Sequence, residues 1–210
     1  MPRDPDRVPT TNDGARVINI SLGTTQRTAI LDLVKRLVEC SDVNDDHPSV
    51  ALDDPGHADD RDRDRDRCNV NGSAVVRAAA GNSDSATEQQ FPTTEKSAGT
   101  LAITASNSQC RLARLSNCGS WIDVAAPGQG LTSPVPGGGF GISRGTSMAT
   151  PLVAGIAALL LERNADWKPE DVTKRLRETA VGLYGTPLRQ VHAQAALDGL
   201  QLPGQFCPIP

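Results

Sequence analysis

The chain has 210 residues, the length of one ordinary domain. Hydrophobic residues make up 38% of it, and Gly and Pro together number 34, too few for a low-complexity or fibrous chain. The net charge of −4 is concentrated in residues 41–67, which hold ten Asp and four Arg. The remainder is nearly neutral, without the basic patch or basic amphipathic helix that nucleic acid or a membrane surface would require. With three Phe, two Trp and one Tyr, the core must be built from Val, Leu, Ile and Ala. The longest apolar run, Leu152 to Leu161, is too short to span a bilayer. The N-terminus, MPRDPDR, lacks the apolar stretch of a signal peptide.

Residues 1–15 are polar and read as a loose leader. Val17 to Leu22 is a short β-rich run ending at Gly23, as a buried strand does. Ile30, Leu33, Val34, Leu37 and Val38 fall at helical spacing and predict an amphipathic helix over 26–39. Residues 41–72 lose all periodicity and read as a long acidic insertion, far beyond the usual helix-to-strand connection. A second strand is expected from Ala74 to Ala80, and two more near 100–105 and 121–125. A Gly/Pro-rich loop follows over 127–141, then a long apolar helix over 147–163. Pro169-Glu170-Asp171 opens another helix, with proline at its first position and acids in its first turn. A last short helix is expected near 189–199, before a tail over 201–210. Strands alternating with helices argue for an α/β fold with a mostly parallel, doubly wound sheet.

Three strings carry chemistry. Gly145-Thr146-Ser147-Met148-Ala149-Thr150-Pro151 precedes the apolar helix and sets a serine hydroxyl at a helix N-terminus. Unpaired backbone N–H groups there favour developing negative charge. Pro151 removes the ladder bond to the Ser147 carbonyl, which is tolerable only in a first turn. Alone, such a serine is an ordinary helix cap. Ala78-Ala79-Ala80-Gly81-Asn82 ends a strand in small residues and then presents one amide able to donate to an oxyanion. Alone, Asn82 is a turn asparagine. Ile18 to Gly23 offers a strand end that an extended peptide can pair with, although by itself it reads as a plain buried strand.

Together and in this order, the three strings resemble the subtilisin-like serine endopeptidases, or subtilases. The resemblance runs from about Ala15 to Leu200, including Asp123-Val124-Ala125-Ala126-Pro127-Gly128 and Val191-His192-Ala193. It implies the family's α/β sheet with helices on both faces, and hydrolysis of peptide bonds through an acyl-enzyme on Ser147. It makes Asn82 the oxyanion donor. Ser21, Leu22 and Gly23 then line one wall of the P1 pocket, with Ala79, Ala80 and Gly81 opposite. It further implies peptide or protein substrates and an exported protein.

The departures from the family pattern matter as much. Subtilases carry a catalytic Asp on an early strand and a catalytic His in an HGT-H motif, both upstream of the strand matched by Val17–Leu22. Neither motif occurs in this sequence. Of the three histidines, His47 and His57 lie in the acidic insertion, and His192 lies in a segment that the family uses for packing. Asp54-Pro55-Gly56-His57 resembles no subtilase motif. Without a base, a serine hydroxyl is a poor nucleophile. The expectation is therefore a partial catalytic domain over 16–200, lacking N-terminal strands and inactive by itself. The alternative is a pseudoprotease that binds peptides without cleaving them. A bare strand edge would promote self-association, or docking of the missing segment.

Asp42, Asn44, Asp46 and Asp53 match ligand positions of a calcium loop, but His47 stands where that loop needs glycine. A solvated loop is preferred, and no cofactor is expected. Cys40 and Cys68 flank the insertion, and a disulfide between them would contribute about 3.6 kcal/mol on the chain-entropy estimate. Cys110 and Cys118, if joined by extended chain, lie about 26 Å apart and cannot pair.

Overall fold

The computed structural model describes residues 15–26, 75–94 and 99–207. Residues 27–39 of the helix read at 26–39, the acidic insertion, its calcium positions, His47, His57 and the Cys40–Cys68 pair lie outside the described residues. Within them the chain forms a six-stranded sheet. Its strands are β1 (Val17–Ile20), β2 (Val75–Ala79), β3 (Thr100–Ser106), β4 (Val124–Pro127), β7 (Val181–Gly182) and β8 (Arg189–Gln190), in the order β1-β2-β3-β4-β8-β7. All neighbours are parallel except β7 and β8. This is the α/β fold with a mostly parallel sheet that the alternation of elements predicts.

Strands β2 and β3 are buried at every position. A strand covered on both faces needs no polar alternation, which is why VVRAA and TLAITAS read as nearly continuous small and apolar runs. Helix α1 (Thr146–Arg163) covers one face of the sheet. Its Ala149, Val153, Ala157 and Leu160 pack on Val75, Leu101, Ile103 and Val124, joined by Val172 and Leu176 of helix α2 (Pro169–Glu178). Alanines on both sides let helix and strands approach closely, so a core nearly free of aromatics is feasible. On the other face Ala80, Ala102, Trp121 and Ile122 form a second cluster.

Helix α2 starts at Pro169, and Asp171 accepts from the Lys168 backbone N–H at 3.0 Å. Helix α3 (Ala193–Asp198) is capped by His192, whose Nδ1 accepts from the Ala195 N–H at 3.1 Å. Among the described residues no helix is long and apolar enough to cross a membrane.

Three sequence expectations change. The segment expected as a loop over 127–141 is largely an antiparallel ribbon of β5 (Gln129–Pro134) and β6 (Phe140–Arg144). Gly137, Gly138 and Gly139, all at positive φ, build its turn; the same glycines hid the flanking strands. The strand near 121–125 begins only at Val124, because residues 119–122 form a turn closed by Ile122 N–H to Gly119 O. The helix expected from 189 starts at Ala193, because Arg189 and Gln190 pair with β7 and β4. The segment after 200 is tied down: Cys207 forms a disulfide with Cys110, and Phe206 stacks on Tyr184 at 4.9 Å. Cys118 is free, so the expected absence of a Cys110–Cys118 pair holds, although the chain between them turns at 113–116 rather than running extended.

Candidate active site

The carboxyl ends of β1 and β2 meet the N-terminus of α1, the usual place for a site in an open parallel sheet. Ser147 is the second residue of α1 and half-buried. Its Oγ donates to the Ser21 carbonyl at 3.0 Å, and Ser21 Oγ donates to the Ser147 carbonyl at 2.9 Å. The nucleophile candidate and one wall of the candidate pocket are thus in direct contact.

Asn82 reaches the same helix end from β2. Its Oδ1 accepts from the Thr146 backbone N–H at 2.8 Å and from Thr146 Oγ at 3.1 Å. Because a backbone N–H can only donate, the amide oxygen must face the helix. The Asn82 Nδ2 group therefore faces away, without a partner among the described residues, and Asn82 is exposed. Thr146 Oγ also accepts from the Gly81 N–H at 3.2 Å, so one buried hydroxyl fixes both Gly81 and Asn82. Gly81 adopts a φ of 106°, and a Cβ there would lie 2.5 Å from Asn117 Nδ2. Only glycine fits.

Asn117 was not singled out by sequence. Fully buried, it donates from Nδ2 to the carbonyls of Ala80 and Glu88, both at 3.0 Å. Its Oδ1 accepts from the N–H groups of Ser83 and Ser85 at 3.0 and 3.3 Å, and its own N–H donates to Gly81 O at 3.1 Å. These bonds bracket Asn82 on both sides and make its loop rigid. No local signal marks this role, because all these partners lie some thirty residues upstream.

The two candidate walls are brought together. Leu22 and Gly23 are exposed, whereas Ala79, Ala80 and Gly81 are buried. The chain after β1 bonds the chain after β2 through Thr24 and Phe91, with N–H to carbonyl distances of 3.2 and 2.8 Å. Gln90 lies against both glycines: a Cβ on Gly23 would meet its Oε1 at 2.6 Å, and one on Gly81 its Cδ at 2.7 Å. Gln90 is a second residue that sequence reading missed.

This arrangement presents a hydroxyl and a free amide donor at a helix N-terminus, beside a strand end. A carbonyl placed there can be attacked by the hydroxyl, and its oxygen can take charge against N–H donors. The hydroxyl proton rests on a neutral carbonyl, however, which cannot accept it as a base does. His192 is the only histidine among the described residues, and its Nδ1 serves the helix cap. Those residues contain no group of three or more His, Cys, Asp or Glu able to hold a metal ion.

Comparison with known proteins gives a consistent answer. A family model described as the subtilase family matches residues 6–201. The chain is 43% identical to subtilisin E of Bacillus subtilis over 134 residues, covering 60% of this chain and 35% of that protein. It is equally similar to a subtilisin of Bacillus pumilus, of which 48% is covered. The chain thus spans between a third and a half of the length of these curated relatives. Among solved structures, a protease from Pseudoalteromonas arctica superimposes with a TM-score of 0.67 at 26% identity, covering 93% of this chain and 54% of that one. A cold adapted subtilisin-like serine proteinase gives 0.62 at 27% identity, covering 87% and 57%.

Proposed function

The chain belongs to the subtilase family, and from that premise we propose that it carries the nucleophile and oxyanion half of a serine endopeptidase centre acting on peptides or proteins. Ser147 attacks the scissile carbonyl. Asn82 Nδ2 and the N–H groups at the start of α1 stabilise the oxyanion, and the acyl-enzyme forms on Ser147 Oγ. Ser21, Leu22 and Gly23 on one side, with Ala79, Ala80 and Gly81 on the other, bound the pocket for the residue before the scissile bond. The observation that supports this most is the anchoring of Asn82 through Oδ1 to Thr146, the residue before Ser147, which leaves its Nδ2 without a partner among the described residues. Donors of this kind contribute about two to three orders of magnitude in rate, a figure established in this family rather than deduced from this chain. The chemistry calls for no cofactor.

The proton acceptor in this reading comes from outside the described residues, in the role that the family gives to an Asp and an HGT-H histidine. Until such a base is supplied, Ser147 stays hydrogen-bonded to Ser21 and unreactive. The engagement of that hydroxyl with a neutral carbonyl also favours a second reading, a pseudoprotease that binds extended peptides along β1 without cleaving them. An active-site-directed phosphonate separates the two. The chain alone should label at Ser147 no faster than at a surface serine. Mixed with a subtilase N-terminal segment bearing the Asp and HGT-H motifs, it should label quickly, and Ser147→Ala should abolish this. Background labelling in both cases would leave the endopeptidase reading without support. Fast labelling of the chain alone would mean that a base resides within it, with His57 the first candidate to replace. Export to an oxidising compartment, expected from the resemblance, is supported by the Cys110–Cys207 disulfide.

A further inference from the structure

The first turn of α1 lacks one hydrogen bond. In a regular helix the N–H of residue 151 would donate to the Ser147 carbonyl, but residue 151 is proline. The proline ring also crowds that carbonyl and pushes it away from the helix axis. A half-buried carbonyl left unmet is costly. Here it is met from another element: Ser21 Oγ donates to it at 2.9 Å. Asn19 Nδ2 in turn donates to Ser21 Oγ at 3.0 Å; the Ser21 proton has Asn19 Oδ1 within reach at 3.4 Å, but the Ser147 carbonyl at 2.9 Å is the shorter acceptor. A ladder bond would tie Ser147 only to its own helix. The Ser21 bond ties it to the end of β1, along the groove where substrate would lie.

We infer that the Ser21 hydroxyl is a positioning group that replaces the helix bond removed by Pro151. It holds the main chain of Ser147 in register with β1 while the Ser147 side chain swings from the Ser21 carbonyl to a proton acceptor. Pro151 and Ser21 thus work as a pair: one frees the carbonyl and the other claims it. The catalytic meaning of this tether rests on the proposed role of Ser147, but its existence does not.

The test is a double-mutant cycle on the full chain, held folded by a saturating subtilase N-terminal segment, with Ser21→Ala, Pro151→Ala and the double variant. Ser21→Ala should lower the folding equilibrium constant about tenfold, as expected for one unmet carbonyl. In the Pro151→Ala background, where residue 151 regains its N–H, the loss should fall below about threefold. Ser21→Thr, which keeps a hydroxyl, should restore the original value. A local signature accompanies this. Ser147-Met148 is the only Ser–Met step in the sequence, so carbonyl-13C serine with 15N methionine gives a single cross-peak for the Ser147 carbonyl. That carbonyl resonance should move in Ser21→Ala, stay in Ser21→Thr, and move back when Pro151→Ala is added. Equal losses in both backgrounds, a resonance that ignores Ser21, or a random-coil position in the unaltered chain would each overturn the inference. Phosphonate labelling of Ser147 reads the endopeptidase proposal independently, so failure of one can be told from failure of the other.

Discussion

Arg77 is the largest fully enclosed side chain among the described residues, set within the interior strand β2 between two valines and two alanines. Its Nη1 donates to the Val76 carbonyl at 3.1 Å, while Nε and Nη2 are buried without a partner among the described residues. Loss of hydration, reinforced by the nearby Arg177 and only partly offset by Asp123, lowers its pKa well below the usual guanidinium range, to about 9. Below about pH 9 both folded and unfolded chains carry this charge, so its burial is a constant penalty. Above about pH 9 the folded chain gives up this proton while the unfolded chain keeps it, so stability should rise with pH there. Replacing Arg77 with leucine should therefore stabilise the fold at pH 7 by about 1–4 kcal/mol, in line with other exchanges of buried charge for hydrophobe. Urea midpoints of both proteins at pH 7 and pH 10, each with a saturating subtilase N-terminal segment, would check this. The advantage of Arg77→Leu should shrink at the higher pH, and parallel profiles would rule the account out.

The Cys110–Cys207 bridge joins segments 97 residues apart and fastens the end of the described chain to the loop after β3. Around it, Gly182 N–H bonds Gln205 O at 2.8 Å and Cys207 N–H bonds Gly182 O at 2.9 Å. Loop-closure entropy for this separation is about 4–5 kcal/mol, so Cys207→Ser should lower stability by several kcal/mol. Peptide mapping without reduction should recover Cys110 linked to Cys207 and Cys118 free; a Cys110–Cys118 link would refute it. This bridge was not legible in the sequence, because spacing can exclude a short-range pair but cannot select a partner far along the chain. The same limit hid Asn117 and Gln90, whose roles exist only once distant segments meet. Strands β7 and β8, of two residues each, are too short to carry any periodicity. What was legible had local causes: the unbroken apolar runs of β2 and β3, proline and acids opening α2, and small residues before Asn82. The string around Ser147 was legible for the same reason, since its helix start, its hydroxyl and its proline are neighbours.

At the scale of the whole molecule, β1 is the outer strand of the sheet among the described residues, paired only with β2. It carries Val17, Ile18 and Ile20, all half-buried, and Ile18 and Ile20 pack on Val76. In the family, earlier strands bearing the Asp and His motifs lie beside the strand that β1 matches, and this chain spans less than half of the curated relatives compared above. An outer strand of this composition offers unpaired N–H and C=O groups to any strand that fits. The same strand ends in Ser21, so whatever pairs with β1 also steadies the contact to Ser147. The isolated 210-residue chain should therefore self-associate or remain partly unfolded. Adding a subtilase N-terminal segment should raise its melting temperature in proportion to the logarithm of segment concentration, as binding to the folded state alone requires. Sedimentation of the chain alone, with thermal melts over a titration of that segment, would measure both effects. A monomer that melts cooperatively near about 60 °C and ignores the added segment would defeat the prediction. The outer side of β1 would then be covered from within the chain, which favours a self-sufficient peptide-binding pseudoprotease over one half of an enzyme.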